Sequence, residues 1–92
     1  MARRFRNLVG PKVRLLRGKL GLTQDQLAAR LQLAGLADFD RVTVAKVESQ
    51  IRSVFDFELV VLSRVLQVEA NELMEVPQAV LKDALSKLSR GE

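Results

Sequence analysis

Apolar residues recur along most of the chain at spacings of three and four, which is the repeat of a helix with one buried face. The first such segment covers residues 11–20 and opens with Pro11, a residue suited to the first position of a helix. The second begins at Gln24, because Thr23 and Gln26 have the spacing of a capping box. The pattern therefore predicts two helices separated by a tight turn.

Further helical segments follow after an interruption. Residues 32–39 lose the periodicity and contain a helix-breaking glycine, after which Asp40 can cap a third helix. The predicted later helices cover residues 41–49, 56–66 and 70–75, and a last amphipathic helix begins at Pro77. With only four Phe and no Trp or Tyr, the composition favours packed helices over a β-sandwich. We expect an all-α fold in which an arm of residues 1–10 precedes one domain, 11–76, and a C-terminal helix, 77–92.

The absence of two residue types narrows the possible functions. The chain has no Cys and no His, which excludes the common thiolate and imidazole zinc sites and any Cys–His or Ser–His–Asp catalytic group. The carboxylates are scattered along the sequence, and no pair of them stands out. We therefore expect no enzyme activity, no metal and no cofactor. No apolar run approaches the ~20 residues needed to span a bilayer, so we expect no membrane partner and a cytoplasmic location.

Charge is distributed unevenly along the chain. The net charge is +4, and residues 1–24 carry seven basic side chains and no acidic one. Residues 56–75, in contrast, carry five acids and one arginine. This polarity fits a polyanionic partner at the basic end, although an ordinary solvated surface would explain it equally well.

A set of short motifs, taken in order, resembles one protein family. The matching text is Gly10-Pro11-Lys12-Val13, Arg17, Gly21-Leu22-Thr23-Gln24, Leu27-Ala28, Lys46-Val47-Glu48, Leu66-Gln67-Val68 and Glu72-Leu73. It resembles the lambda-repressor-like, Cro-type (XRE) helix-turn-helix proteins. The resemblance implies five helices, with the second and third forming the DNA-reading unit. It further implies a prokaryotic or phage transcriptional regulator, with repression as the expected outcome.

The connection between the second and third helices departs from the minimal form of that family. Residues 33–39 are similar to the longer turn of one branch. In that case Leu36 and Phe39 must pack back onto the core; otherwise the third helix would be misplaced.

The third helix is the candidate for reading bases, because the major groove of DNA, about 12 Å wide, admits one α-helix. With Val44 and Val47 turned inward, Arg41, Val42 and Lys46 lie outward at helical spacing. Arg41 and Lys46 are suited to the O6 and N7 acceptors of guanine, and Val42 to a thymine methyl group. The alternatives are a solvated or phosphate-bound Arg41, a phosphate-bound Lys46, and local packing of Val42 against the long turn.

Phosphate contacts are expected around this helix. Gln24 stands at the N-terminus of the second helix, where backbone N–H groups favour an anion. The matching Gln of the family clamps the DNA backbone; the alternative is a surface residue in a well-formed cap. The further candidates are Thr43, Ser49, Gln50 and Arg52, together with Arg3, Arg4 and Arg6 of the arm. The arm either follows the minor groove or phosphates, or is a disordered charged terminus.

Glu48 is not expected to contact DNA, because phosphates would repel its carboxylate. The resemblance pairs Glu48 with Arg17 as a partly buried ion pair that sets how the third helix leans on the core.

Family members commonly bind palindromic operators as twofold dimers, with half-sites one helical turn (~34 Å) apart. The candidate dimer surface here is the stripe of Leu81, Leu85 and Leu88, unless the last helix folds back onto the domain's own core. The alternative function is a protein-interaction module, such as an antitoxin or adaptor, that uses the same fold and binds its partner through the last helix.

Overall fold

Six helices make up the residues that the computed structural model describes, 6–89, and these residues form no strand. The helices are α1 (Gly10–Lys19), α2 (Gln24–Leu33), α3 (Arg41–Glu48), α4 (Asp56–Val65), α5 (Ala70–Leu73) and α6 (Gln78–Ser89). Each predicted helix is present, and the described bounds agree to within two residues, except that α6 is described only as far as Ser89 of the expected 77–92. The all-α prediction is confirmed for residues 6–89. None of the described helices is both long and apolar enough to cross a membrane.

The starts of α2 and α3 are set by side-chain caps. The Thr23 hydroxyl accepts a hydrogen bond from the Gln26 N–H at 3.1 Å, and the Gln26 side chain accepts one from the Thr23 N–H at 2.8 Å. The predicted capping box is therefore complete. At α3 the Asp40 carboxylate accepts bonds from both the N–H and the hydroxyl of Thr43, at 2.8 and 2.9 Å. These bonds lower the pKa of Asp40 below its ordinary value.

The first four helices all end in the same kind of reverse turn. After α1, the Leu22 N–H bonds to the Arg17 carbonyl at 3.1 Å while Gly21 takes a positive φ of 69°. This is a Schellman motif, which satisfies carbonyls at the helix end and reverses the chain in a few residues. The corresponding positive-φ residues after α2, α3 and α4 are Gly35, Gln50 and Gln67. Such tight turns keep most connections short and the helices close together.

One apolar core is shared by α1 to α5. Its fully buried large side chains are Val13 of α1, Leu27 and Leu31 of α2, Val44 and Val47 of α3, Leu62 of α4, Leu66 that follows it, and Leu73 of α5. Because every one of the five helices contributes to this cluster, burial of apolar surface orients all of them around one centre.

The long connection between α2 and α3 packs back onto this core, as predicted from the sequence. Phe39 is only 2% exposed, and Leu36 packs against the core cluster. The Gln32 amide donates to the Phe39 carbonyl at 2.8 Å, and the Arg52 guanidinium lies 4.7 Å from the centre of the Phe39 ring. The turn is thus anchored from both sides, and it does not cover the outer face of α3.

The residues just before α1 were expected to belong to a separate arm of residues 1–10. In the structure they pack against the domain. Val9 is buried, and Asn7 donates to the carbonyls of Val47 and Arg52 at 3.1 and 2.7 Å. The side-chain oxygen Oδ1 of Asn7 also accepts from the Gly10 N–H at 2.8 Å. One side chain therefore caps the start of α1 and ties it to the end of α3.

The C-terminal helix turns one face to the domain. Ala84 of α6 is buried, Leu81 is half-buried and Leu85 is 54% exposed. The side chain of Leu88 lies outside the described residues. The expected stripe of Leu81 and Leu85 is therefore split, because its first member faces the fold and its second faces solvent. An open groove of about 580 Å³, lined by apolar residues such as Leu15 and Val80, runs between α1 and α6.

The close approach of α1 to α3 predicts that Gly10→Ala destabilises the protein. A Cβ at Gly10 would collide with the Val47 carbonyl oxygen and lie 2.9 Å from that of Glu48. Because both atoms are backbone, relief requires α1 to move, at a cost of about 1–3 kcal/mol of unfolding free energy. Chemical denaturation measures this loss.

Gly18→Ala is the matched control, because a Cβ there meets nothing within 4 Å. A mid-helix Gly→Ala change should raise stability by up to about 1 kcal/mol. Equal effects of the two substitutions would contradict the close packing of α1 on α3.

Candidate nucleic-acid interface

The outward face of α3 carries the three residues expected to read bases. Val44 and Val47 are each 1% exposed and hold the inner face in the core. Arg41, Val42 and Lys46 are exposed, Val42 to 48%. This face of α3 therefore presents one apolar and two cationic side chains to solvent.

Acidic groups lie near the first turn of α3. Arg41 Nε is 4.0 Å from Asp25 Oδ1, but both side chains are more than half exposed, so the pair contributes little to stability. The Asp40 carboxylate is engaged by its cap bonds to Thr43. The Arg41 guanidinium is therefore held only weakly by Asp25.

Three helices meet at the Glu48 carboxylate, in a cluster that we call the helix brace: Arg17, Gln24 and Glu48. Arg17 Nε lies 2.6 Å from Glu48 Oε2, and Arg17 Nη2 lies 3.0 Å from Oε1. The Gln24 amide donates to the same Oε1 at 3.0 Å, and Arg17 Nη1 donates to the Leu22 carbonyl at 2.8 Å. The ion pair that the resemblance implied is therefore formed, with α2 as a third participant.

The helix brace is largely shielded from solvent. The side chains of Arg17 and Glu48 are 16% and 4% exposed. The hydrogen bond to Glu48 raises the pKa of Arg17 above its usual value, so the guanidinium of Arg17 stays charged. Gln24 is half-buried and supports α3 directly; its amide has a second hydrogen without an acceptor among residues 6–89.

Two of the polar residues expected to contact phosphates use their donors within α3 itself. The Thr43 hydroxyl donates to Asp40, and the Ser49 hydroxyl donates to the Ala45 carbonyl at 2.8 Å. A phosphate contact from either hydroxyl would first require it to give up this bond.

The expectation for Gln50 is wrong. Its side chain is buried at 8% exposure, and its amide donates to the Asn7 carbonyl at 3.1 Å. The residue ends α3 with a positive φ of 67°, which turns the side chain under the N-terminal segment instead of toward a ligand. Nothing in the local sequence signals this, because Asn7 lies 43 positions away.

The role expected for Arg52 also needs correction. Its guanidinium donates to both oxygens of Glu58, at 3.0 and 3.1 Å, and to the Ser53 carbonyl at 2.9 Å. Together with its position over the Phe39 ring, this gives Arg52 a structural role, and a phosphate contact from it stays a prediction. The sequence carried one signal for the position of Glu58, since a Glu three residues after Phe55 is typical of the third position of a helix. It carried none for the pairing of Glu58 with Arg52.

Among the described side chains, Glu58 is the second buried carboxylate after Glu48, with a side chain 6% exposed. Burial alone would raise the pKa of Glu58, but hydrogen bonds from Arg52 and from the Phe55 N–H outweigh it. The net result is a pKa below the ordinary value, so the folded state favours the charged form.

Of the three arginines expected in a DNA-binding arm, the structure describes one. Arg6 is exposed, and its backbone N–H donates to the Gln50 carbonyl at 2.9 Å, just beyond the end of α3. Arg3 and Arg4 lie outside the described residues.

A surface that the sequence pattern did not single out lies at the start of α4. The rings of Phe55 and Phe57 stack at 5.6 Å between centroids and are 55% and 61% exposed; Val60, one turn on, is 41% exposed. We call these three residues the aromatic patch. Exposed stacked aromatic rings are typical of contact surfaces.

Within residues 6–89 no cluster of acidic side chains has the geometry to hold a metal ion. Comparison of the chain with models of known families, with curated proteins and with solved structures gave no match in any of the three.

The burial of the helix brace predicts a large loss of stability when one partner is removed. Glu48→Ala leaves Arg17 without its counter-ion in a largely buried position, which costs about 3–5 kcal/mol. The double variant Arg17→Met, Glu48→Leu removes both charges and should lose less than Glu48→Ala alone. Unfolding free energies from urea titrations measure both effects.

Asp83→Ala is the control, because it breaks the exposed Lys87–Asp83 pair of α6 and should change stability by less than about 1 kcal/mol. If Glu48→Ala cost no more than this control, the brace would have no structural role.

The lowered pKa of Glu58 predicts a contribution to stability that depends on pH. A carboxyl with a depressed folded pKa stabilises the fold above its unfolded pKa of about 4.3, and this contribution disappears as the pH falls through the folded value. Glu58→Gln should therefore be less stable than wild type at pH 7, and its stability should fall less steeply between about pH 5 and pH 3. Thermal unfolding at several pH values tests this. Parallel pH profiles for the two proteins would show that Glu58 contributes nothing.

Proposed function

We propose that this protein binds double-stranded DNA in a sequence-specific manner, as a lambda-repressor-like helix-turn-helix regulator of transcription with α3 as its recognition helix. The observation that carries the proposal is the arrangement of α3. Its outer face presents Arg41, Val42 and Lys46 to solvent, while the helix brace holds it from behind. A rigid helix with an exposed cationic face suits the major groove.

Base reading is assigned to the outward side chains. The guanidinium of Arg41 has the fork geometry that matches O6 and N7 of guanine. The half-exposed Val42 supplies apolar contact to a thymine methyl, and Lys46, one turn further, supplies a second cation for guanine.

Phosphate contacts are assigned to groups around α3 whose donors face solvent. Gln24 has a second amide hydrogen beyond its bond to Glu48, and it lies at the positive end of α2. Arg6 is exposed, and its backbone N–H bonds to the Gln50 carbonyl just beyond the same end of α3. The net charge of +4 adds a sequence-independent attraction to the polyanion.

A second copy of the chain completes the proposal. One short recognition helix contacts few base pairs, so discrimination calls for two copies on a palindromic site with half-sites about 34 Å apart. We assign the contact between copies to the aromatic patch, which follows α3 after a short loop, in place of the leucine stripe of α6. Leu81 faces the fold, whereas Phe55 and Phe57 are both more than half exposed.

The aromatic patch also favours a second candidate function. A protein-interaction module, such as an antitoxin or adaptor, would use exposed apolar rings to hold a different protein. The two functions differ in what they require of α3. DNA reading needs Arg41 and Lys46, whereas a pure interaction module does not.

The proposal predicts distinct effects for base-reading and phosphate-contacting residues. With a duplex selected from a random pool, Arg41→Ala should lose about 1–3 kcal/mol of binding and relax the preference at one base position. Gln24→Ala should weaken all duplexes alike, because a phosphate carries no sequence information. Fluorescence anisotropy at several salt concentrations measures both.

Arg30→Ala, at an exposed arginine of α2, controls for loss of charge alone. Circular dichroism of Gln24→Ala confirms that α2 and α3 are retained. Equal affinity of the wild type for every duplex would refute sequence-specific reading.

The assignment of the aromatic patch predicts a change in oligomeric state. Phe57→Ser should convert a dimer to a monomer in sedimentation and weaken binding to the palindrome while leaving half-site binding intact. Leu85→Ser on α6 is the matched control and should remain dimeric. A wild-type monomer that binds a single half-site would contradict the dimer.

A further inference from the structure

The groove between α1 and α6 has the size of a small-molecule site. Its volume is about 580 Å³, within the roughly 300–1,000 Å³ of pockets that hold drug-sized ligands. Both helices, with the residues just before them, supply apolar side chains to its lining. These are Leu8, Pro11 and Leu15 on the α1 side, and Val76, Pro77 and Val80 on the α6 side. We call this site the apolar groove.

The lining of the apolar groove suits an aliphatic chain. Every apolar side chain that residues 6–89 contribute to it is aliphatic. Leu15 is 52% exposed and Val80 is 41% exposed, so apolar surface on both sides of the groove remains in water. The α6 side extends from Pro77 to Asp83, roughly 9 Å at about 1.5 Å per residue. An alkyl chain of medium length would cover this surface and remove it from water.

Lys12 gives the apolar groove a positive charge that has no counter-ion. The residue lines the groove from α1 and is half-buried. None of the ion pairs formed within residues 6–89 includes it. A cation that is partly withdrawn from water is stabilised by an opposite charge. The α1 side of the groove therefore favours an anionic group.

Two carboxylates also line the apolar groove, and neither cancels the charge of Lys12. Asp83 Oδ2 lies 3.3 Å from Lys87 Nζ, so Asp83 has a counter-ion of its own. Glu75 is exposed, and its charge is screened by water and salt. The position at which an added charge gains most is therefore beside the half-buried Lys12.

From these observations we infer that the apolar groove binds an aliphatic carboxylate, with the alkyl chain between α1 and α6 and the carboxylate paired with Lys12. Arg41, Val42 and Lys46 of α3 do not line the groove. The inference therefore goes beyond the proposed function and does not rest on it.

The first experiment measures binding to the whole chain by isothermal titration calorimetry. Decanoate, kept below its micelle concentration, should occupy one saturable site. Each buried methylene strengthens binding by about fourfold, so octanoate should bind up to about fifteenfold more weakly. Decanol and decyltrimethylammonium have the same alkyl chain and test the headgroup. Decanol should bind more weakly than decanoate, and the cation should bind more weakly than decanol.

Matched variants separate the two parts of the site. Lys12→Gln should weaken decanoate binding by about fivefold, as for a strong ion pair at a partly exposed position, and should leave decanol binding unchanged. Lys82→Gln removes an exposed lysine of α6 outside the groove lining and should have no effect. Val80→Ser should weaken the binding of both ligands, whereas Leu85→Ser, at an exposed apolar residue outside the lining, should weaken neither. Circular dichroism verifies that each variant keeps its helices.

The second experiment locates the bound ligand by nuclear magnetic resonance. Gln50 lines the apolar groove, and its side-chain amide donates to the Asn7 carbonyl. Saturating decanoate should shift this amide and the methyl signals of Leu15 and Val80, while the ring signals of the aromatic patch stay in place.

Four results would overturn the inference: no saturable binding of decanoate, shifts centred on the aromatic patch, tighter binding of the cation than of decanoate, or equal affinity of the wild type and Lys12→Gln for decanoate. None of these measurements involves DNA, so they decide the ligand site separately from the proposed function.

Discussion

The structure depends on the cost of burying one carboxylate. Glu48 is 4% exposed at the end of α3, and an ionised group removed from water in this way requires charged and hydrogen-bonding partners. Its partners come from two other helices, Arg17 of α1 and Gln24 of α2. These bonds form together only when the three helices meet in one relative orientation. The burial of a single charge thus specifies how α3 leans on the core and which of its faces remains outside.

A second ion pair, Arg52–Glu58, helps to hold the connection between α2 and α3 in place. The connection between α2 and α3 is long. Lengthening a loop adds only a slowly growing entropic cost, so what the structure must supply is a means to hold this connection away from the outer face of α3. Phe39 solves this by entering the core, with Arg52 stacked on its ring. Since Arg52 also bonds to Glu58, the long turn, the loop after α3 and the start of α4 are joined. The end of α3 is therefore held by the Arg17–Glu48 pair, and the connection before it by the burial of Phe39 under Arg52; the outer face of α3 takes part in neither.

The polar residues near α3 fall into two sets, those that bond to other parts of the protein and those that face solvent. Several polar side chains close to α3 are engaged with other parts of the protein, so the surface offered to a ligand is smaller than the sequence indicates. What remains outside is a short line of side chains on α3 and the aromatic patch beyond its end.

Local interactions explain what the sequence by itself determined. The Thr23 capping box and the Asp40 cap join residues three apart, and the apolar spacing reports which face of each helix is buried, so helix bounds and core could be predicted. Only the tertiary structure decided which polar side chains bond within the fold and which face solvent. Gln50 is an ordinary polar residue by type, yet its amide meets Asn7, 43 positions away, and is withdrawn from solvent. The amphipathic pattern of α6 likewise shows that one face must be covered, whereas the surface that covers it depends on packing between distant segments, which no local spacing encodes.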